Sequence, residues 1–405
     1  MSIVSRKRSI EISLRSRNTV RKTRVLHVIN NLDVGGAEKR LLDITRQVDP
    51  NRIELHFCTF SERVGELCDE FRAAGAQFHL IPMGLRFSHQ FKQLLRQHQF
   101  DVVHAHMHFA AGYVLRLAAQ TGTAVRIAHF RNCQDGRKNS LQRRVRRYLL
   151  RHWVDKHATD VLACGRSAMR SNWGPHWEED SRFRVVHNGI DSSPFSSPRD
   201  REGVSQEFKL HPESPLYIHV GNIRQQKNHA KLLSVFARIV ENTPAANLLL
   251  VGRDDNEMGR DLKSFAVQHG ISKRIVFAGL RDDVPRLLRA ADAMIFPSLW
   301  EGLPGAVLEA CAAELPVLAS DIPEIREIAE RLPLVHCLPL SREDREWAQM
   351  AVSLCMQSGE IRNATTATRA FAASPFHIHA CVTSLYEVWE QAVSGRERNL
   401  PNKAA

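Results

Sequence analysis

The sequence predicts an α/β protein of two Rossmann-like domains whose parallel sheets face a central cleft. Three observations carry that prediction. Short apolar runs alternate with helical stretches along nearly the whole chain, the βα rhythm of a parallel sheet. Each half opens with a strand that runs into glycine and then a helix: Arg24 to Ile29 before Gly35-Gly36, and Leu216 to Val220 before Gly221. Residues 192–215, rich in Ser, Pro and charge, read as the linker between the halves. The boundaries are then a basic tail over 1–23, a first domain over 24–191, the linker, and a second domain over 216–375. A chain of 405 residues is long enough for two cores.

In the first half, Leu55 to Phe60, Gln77 to Ile81, Val102-Val103, Val125 to Ala128, Val161 to Ala163 and Arg184 to Val186 read as further strands. Gly35-Gly36 opens a helix with Leu41, Leu42 and Ile44 on one face, but G-x-G-x-x-G is absent, so a dinucleotide cofactor site is not supported. His104, His106 and His108 alternate and would share one face of a strand, a pattern that fits a metal; at a strand end or loop it does not, and that placement is the expectation here. In the second half, strands are expected at Ala246 to Val251, Arg274 to Phe277, Ala293 to Phe296 and Val317 to Ala319, and a last helix at Ser384 to Val393. Asp282 and Asp283 open a helix and read as caps, not as a metal-binding pair. No metal is expected.

The stretch from Trp300 to Ser320 concentrates the chemistry. A buried strand ends at Pro297-Ser298, Trp300-Glu301-Gly302-Leu303-Pro304-Gly305 forms a loop, and a helix runs from Ala306 to Leu315-Pro316. In open α/β sheets that first loop lies at the ligand-binding edge. A helix start offers free N–H groups and a positive dipole end to an anion. Glu309, two turns in, can accept paired hydrogen bonds from a diol. Near Gly221, Asn222 to His229 carries Arg224 and Lys227 just before a helix, where two cations can clamp a diphosphate.

Composition narrows the partners. Net charge is +12 with pI near 9.6, which favours anionic ones. The eight cysteines include no C-x-x-C, so neither a zinc site nor a disulfide framework is indicated, and scattered thiols fit a reducing cytosol. No apolar run reaches membrane-spanning length. Met1 to Arg24 is basic without an apolar core, which excludes a secretory signal and fits a disordered tail touching anionic lipid. Arg137 to Lys156 combines Leu141, Val145, Tyr148, Leu149 and Trp153 at helical spacing with five arginines, Arg143, Arg144, Arg146, Arg147 and Arg151. It reads as a membrane-surface helix or as a core-packed helix with a solvated basic face. Nothing resembles a nucleic-acid-binding fold. Residues 395–405 read as a disordered tail.

Five motifs in order resemble those of the retaining family 4 glycosyltransferases, which have the GT-B fold: Gly35-Gly36-Ala37-Glu38, the strand-tip His129, Asn188-Gly189-Ile190-Asp191, the Gly221 to Lys227 loop, and Glu301 to Glu309. The E-G-L-P form at Glu301 to Pro304 is similar to members that build bacterial exopolysaccharide and lipopolysaccharide. The resemblance implies that Glu309 holds the nucleotide ribose, and that Glu301 with Gly302, Leu303, Pro304 and Gly305 holds sugar and phosphate. It implies that His129 contacts the donor sugar, with Arg131 and Asn132 following it into the cleft, and that Gly35 and Gly36 face the cleft. Lys227 and Arg224 would bind the diphosphate, although Asn222 stands where the family usually has arginine. Arg281, following Gly279, would stack on the base. Glu314 replaces the family's helix-ending glycine. The last helix, over 376–394, would cross back to the first domain. The activity implied by the resemblance is transfer of a hexose from a nucleoside diphosphate sugar, UDP-linked, to a saccharide or lipid-linked acceptor. It would need no cofactor, and would run in the cytoplasm or on the inner face of the membrane. The other classes are a nucleotide-sugar epimerase of the same fold and a non-catalytic partner subunit.

Overall fold

The computed structural model describes residues 21–61, 65–133, 140–254, 257–363 and 365–397. Most of the expected N-terminal tail, all of 398–405, and residues 134–139, which include the first three positions of the basic segment, lie outside them.

The first sheet has seven strands: β1 (Thr23–Ile29), β2 (Ile53–Thr59), β3 (Gln77–Leu80), β4 (Val102–Ala105), β5 (Val125–Phe130), β6 (Asp160–Ala163) and β7 (Phe183–Val185). Between them run α1 (Gly36–Gln47), α2 (Cys68–Ala73), α3 (Phe87–His98), α4 (Ala111–Gln120), α5 (Leu141–His157) and α6 (Arg166–Trp173). All neighbours are parallel, in the order β3-β2-β1-β4-β5-β6-β7.

The second half begins with α7 (Arg201–Phe208), followed by β8 (Leu216–Val220), α8 (His229–Asn242), β9 (Asn247–Val251), α9 (Glu257–Gln268) and β10 (Ile275–Gly279). Then come α10 (Val284–Ala290), β11 (Ala293–Phe296), α11 (Gly305–Ala312), β12 (Val317–Ser320), α12 (Pro323–Ala329) and β13 (Val335–Leu338). Three helices close the chain, α13 (Asp344–Asn363), α14 (Thr365–Ala372) and α15 (Ile378–Glu397). The six strands are parallel in the order β10-β9-β8-β11-β12-β13. Central strands such as β11 and β12 are buried along their whole length, which is why they read as unbroken apolar runs.

Two expectations are corrected. The second part of the 192–215 segment is a helix: Asp200 caps α7 by accepting from the Gly203 N–H at 3.0 Å, and Arg286 of α10 binds Asp200 and Glu207. That stretch therefore travels with the second domain. Asp283 makes no capping bond at α10; its carboxylate takes Arg281 and Arg286 instead, because two guanidinium groups compete with the helix N–H groups for it.

In both sheets the strand order reverses beside the first strand, at β1/β4 and at β8/β11. Crevices open at the carboxyl ends of strands at such points. The halves are joined by two passages of chain that lie side by side. The Ile190 N–H donates to Phe376 O at 2.9 Å, and the Ile378 N–H donates to Ile190 O at 3.0 Å. Beyond this point α15 returns to the first domain and packs on α1, β1 and β5. It buries Cys381, Val382, Leu385, Val388 and Trp389, one helical stripe. It begins at Ile378, ahead of the Ser384 to Val393 run and within the 376–394 segment expected to cross back. Gly189 makes this packing possible, since a Cβ there would stand 2.6 Å from Cys381 Cβ and 2.7 Å from Ile378 Cα.

Gly189→Ala is therefore expected to cost about 1–3 kcal/mol through overpacking. Gly359→Ala, exposed in α13 with open space around it, is expected to add about 0.5–1 kcal/mol. Urea midpoints check both; an unchanged midpoint for Gly189→Ala would show that the passages are not in tight contact.

Candidate active site

Apart from Arg281, the residues singled out by sequence gather around the two switch points. From β8 the chain passes Gly221 into a loop that carries Lys227. The Lys227 side chain lies across Gly221, where a Cβ would meet its Cε at 3.1 Å, and its ammonium stands 4.6 Å above the Phe296 ring. There it binds the Glu301 carboxylate at 2.7 Å. Gln226 donates to Trp300 O at 2.8 Å and to Glu301 Oε2 at 3.1 Å. Both residues of this ion pair are largely shielded from water, so their charges act at short range in a poorly screened place.

Asn222 serves the loop structure, since its Oδ1 accepts from the Arg253 N–H at 2.9 Å and ties the β8 loop to the β9 loop. Arg224 is exposed on the loop. Arg281 is held by Asp283 and Glu207 at 2.7 and 2.8 Å and lies over the Phe208 ring, a set of partners from α7 and its own loop. Glu314 ends α11 with φ 59, a conformation that suits the glycine it replaces, and its carboxylate binds Arg289 and Thr368.

The first domain reaches the same place from the opposite side. A Cβ at Gly302 would stand 2.1 Å from Arg131 O, so the loop of Glu301 docks against the end of β5. Leu303 and Pro304 are buried beside it, and Pro304 precedes the first turn of α11. Gly35 and Gly36 begin α1, and four residues on Arg40 binds Glu309 at 2.7 Å. Glu309 likewise stands four residues after Gly305. Two helix N-termini thus converge across the cleft and are joined by one ion pair. Arg40 also lies 3.3 Å from Asp43.

His129 sits in β5 within a buried hydrogen-bond chain. Trp389 of α15 donates from Nε1 to His104 Nδ1 at 3.3 Å, and His104 Nε2 lies 3.0 Å from His129 Nδ1. An indole N–H can only donate. His104 must then carry its proton on Nε2, His129 accepts on Nδ1, and His129 keeps an Nε2–H that has no partner in the structure. A second chain runs from Arg131 Nε to His106 Nδ1 at 3.1 Å and from His106 Nε2 to His27 Nδ1 at 2.9 Å. Arg131 also holds Asn188 Oδ1 at 2.7 Å. Burial, with the Arg131 charge added, lowers the pKa of His27 to about 3 and that of His129 well below the usual value. Burial and neighbouring imidazoles do the same to His104 and His106. All four are neutral, as the tautomer argument requires.

The alternation of His104, His106 and His108 does not persist. β4 ends at Ala105, and the chain turns at His108 with φ 54, which sends that ring against Phe109 and Phe130. His27 joins His104 and His106 instead.

The comparisons with known proteins agree with this geometry. The profile "Glycosyltransferase Family 4" matches residues 34–193, and "Glycosyl transferases group 1" matches residues 200–332. The chain belongs to the family 4-type glycosyltransferases of GT-B fold. It is 28% identical over 336 residues to the putative glycosyltransferase EpsF of Bacillus subtilis, covering 80% of this chain and 86% of that one. It is 28% identical over 309 residues to the capsular polysaccharide biosynthesis glycosyltransferase CapH of Staphylococcus aureus, covering 75% and 83%. Among solved structures, Anabaena HepE in complex with UDP superposes with TM-score 0.77 at 17% identity, over 91% of this chain and 100% of that one, a likeness of fold.

In this glycosyltransferase, sequence reasoning missed Arg40, Gln226 and the Trp389–His104 support of His129. Arg40 had a signal, since it follows Gly36 at the spacing by which Glu309 follows Gly305. Trp389 had none, because its partner is 285 residues away.

The neutral histidines set a pH dependence. They take up protons near pH 6.5 when unfolded but not when folded, so below that pH the unfolded state binds more protons and stability falls. Stability is expected to fall from about pH 6.5 to about pH 5 by up to about 1.4 kcal/mol per histidine per pH unit, and the melting temperature to drop steadily with it. A melting temperature that holds level over that range would show that the imidazoles are charged in the fold.

Proposed function

We propose that this chain is a retaining glycosyltransferase that moves a hexose from a UDP-sugar to a saccharide or lipid-linked acceptor in cell-surface polysaccharide synthesis. The observation that carries the reading is the convergence of Lys227, Glu301 and Glu309 with the N-termini of α1 and α11 at one cleft. Relatives supply the substrate class: an Escherichia coli protein 26% identical over 239 residues is named UDP-Gal:alpha-D-GlcNAc-diphosphoundecaprenol alpha-1,3-galactosyltransferase, and HepE was solved with UDP and with UDP-glucose.

Glu309 exchanges Arg40 for the ribose hydroxyls. Lys227 and the α11 N–H groups take the diphosphate, while Glu301 and the His129 Nε2–H hold the sugar. The bond from the sugar anomeric carbon to the diphosphate oxygen breaks as the acceptor oxygen bonds to that carbon on the same face. The acceptor proton passes to the leaving diphosphate. Lys227 and the helix N-termini stabilise the charge that develops there. Closure of the domains keeps water from the donor.

The acceptor side fits a membrane. The first half of α5 exposes Leu141, Val145, Tyr148 and Leu149 among arginines, while its second half packs on α4 through Trp153 and Val154. An exposed apolar stripe flanked by cations suits an anionic lipid surface. Binding there would place the cleft beside lipid-linked acceptors on the cytoplasmic face. No helix of the described residues is long and apolar enough to cross a membrane.

The test is release of nucleoside diphosphate across a panel of nucleotide sugars. One UDP-sugar is expected to turn over, with Lys227→Ala lowering the rate by about 10²-fold or more and Glu309→Ala weakening donor binding by about 10- to 100-fold. Weak binding that is equal in all three proteins, with no turnover, would sink the enzyme reading. For the membrane surface, Tyr148→Ala combined with Arg144→Glu is expected to abolish sedimentation with anionic vesicles and leave donor hydrolysis intact; undiminished sedimentation would contradict it.

A further inference from the structure

Three histidines meet on the flank of the first sheet, in residues the donor chemistry does not use. His56 lies in β2, His79 in β3 and His98 at the end of α3, and one ring nitrogen of each falls within 4.8 Å of the others. His56 is buried, while His79 and His98 are half-buried and open to ions from outside. The chain leaves His98 toward the start of β4, so the group sits toward the edge of the sheet opposite the cleft.

The donor set is oriented. His56 Nε2 lies 3.0 Å from Glu54 Oε1, and that carboxylate is itself held by Arg24 at 3.1 Å and by Gln77 at 3.1 Å. An imidazole that gives one N–H to a carboxylate keeps a bare lone pair on its other nitrogen, the arrangement typical of a metal-ligating histidine. That other nitrogen, His56 Nδ1, points at His79 Nε2, 3.0 Å away. Nitrogens bound at 2.0–2.1 Å to one tetrahedral ion stand about 3.3 Å apart.

The other trio, His27, His104 and His106, differs in kind. Trp389, Arg131 and His129 engage its nitrogens, and the Arg131 guanidinium lies against it and repels a dication.

We propose that His56, His79 and His98 form a binding site for a zinc-class divalent cation, with Glu54 as the orienting carboxylate and water in the fourth position. Three imidazole nitrogens with an open position suit Zn²⁺ and, among spectroscopic substitutes, Co²⁺. A small rotation of the half-buried His98 side chain brings the third nitrogen into the sphere. The ion joins β2, β3 and α3 of the acceptor-side domain, so it stabilises the fold rather than entering the transfer step.

The test uses the full chain stripped with chelator, then titrated with Zn²⁺ by calorimetry and with Co²⁺ by absorption. One equivalent is expected to bind at micromolar or tighter affinity, with a rise of several degrees in melting temperature. Binding at that stoichiometry is expected to fall at least about 100-fold in His98→Ala and in His79→Gln, and about 10- to 100-fold in Glu54→Gln. Each variant's far-UV spectrum and apo melting temperature show that it has folded. His106→Gln leaves the binding unchanged. Absence of saturable binding in the wild type overturns the proposal. So does binding that survives His98→Ala and His79→Gln, or that is lost in His106→Gln alone.

Discussion

Two backbone passages, one leaving the first domain and one returning to it, run side by side and hydrogen-bond at Ile190, Phe376 and Ile378. Everything functional in this chain depends on that crossing. It directs the carboxyl edges of both sheets toward one cleft, and it places α15 on the first domain so that Trp389 reaches His104. Glycine is the only residue type that fits the contact at Gly189, because any Cβ would overlap α15. A second tie lies across the cleft wall. Glu327 of α12 accepts from the Arg166 N–H at the start of α6, at 2.9 and 3.0 Å, and from His187 at 2.8 Å. Burial alone would raise the pKa of Glu327, but the His187 and Arg166 hydrogen bonds outweigh it and lower the value, so the carboxylate is charged at the domain boundary.

Both walls of the cleft carry charge, and only the first also carries a layer of neutral groups. The second domain supplies the Lys227–Glu301 pair and Glu309, which Arg40 of the first domain binds across the gap. The first domain supplies a layer of uncharged imidazoles fixed by donors that cannot change role, the Trp389 indole and the Arg131 guanidinium. On the proposed function, a donor would meet Lys227 and the α11 N-terminus on one side, and Arg40, the α1 N-terminus and the neutral His129 N–H on the other. On the proposed function, the Arg40–Glu309 pair is the contact that the ribose would replace, which would couple donor binding to rearrangement between the domains.

The fold was legible where periodicity and burial coincide. β1, β8 and β11 read directly because they are central, apolar strands buried on both faces. β13 (Val335–Leu338) did not, since His336 and partial exposure at the sheet edge break its pattern. α7 was hidden by its setting between Ser- and Pro-rich turns, although Asp200 three residues before Gly203 is an ordinary cap. The site was legible wherever a short motif holds it, at Gly35-Gly36, Lys227 and Glu301 to Glu309. It was illegible where it is assembled over distance: Trp389 with His104, Arg40 with Glu309, and the trio His56, His79 and His98, which follow no ligand spacing. Arg281 and Asn222 show the converse, residues at motif positions whose partners are Glu207 and Arg253.

The donor nucleotide is expected between Glu309 and Lys227, and a crystal structure of the chain with UDP tests that placement most directly. The ribose hydroxyls should lie on the Glu309 carboxylate in place of Arg40, with the diphosphate between Lys227 and the first turn of α11. UDP bound elsewhere, with the Arg40–Glu309 and Lys227–Glu301 pairs undisturbed, would contradict it.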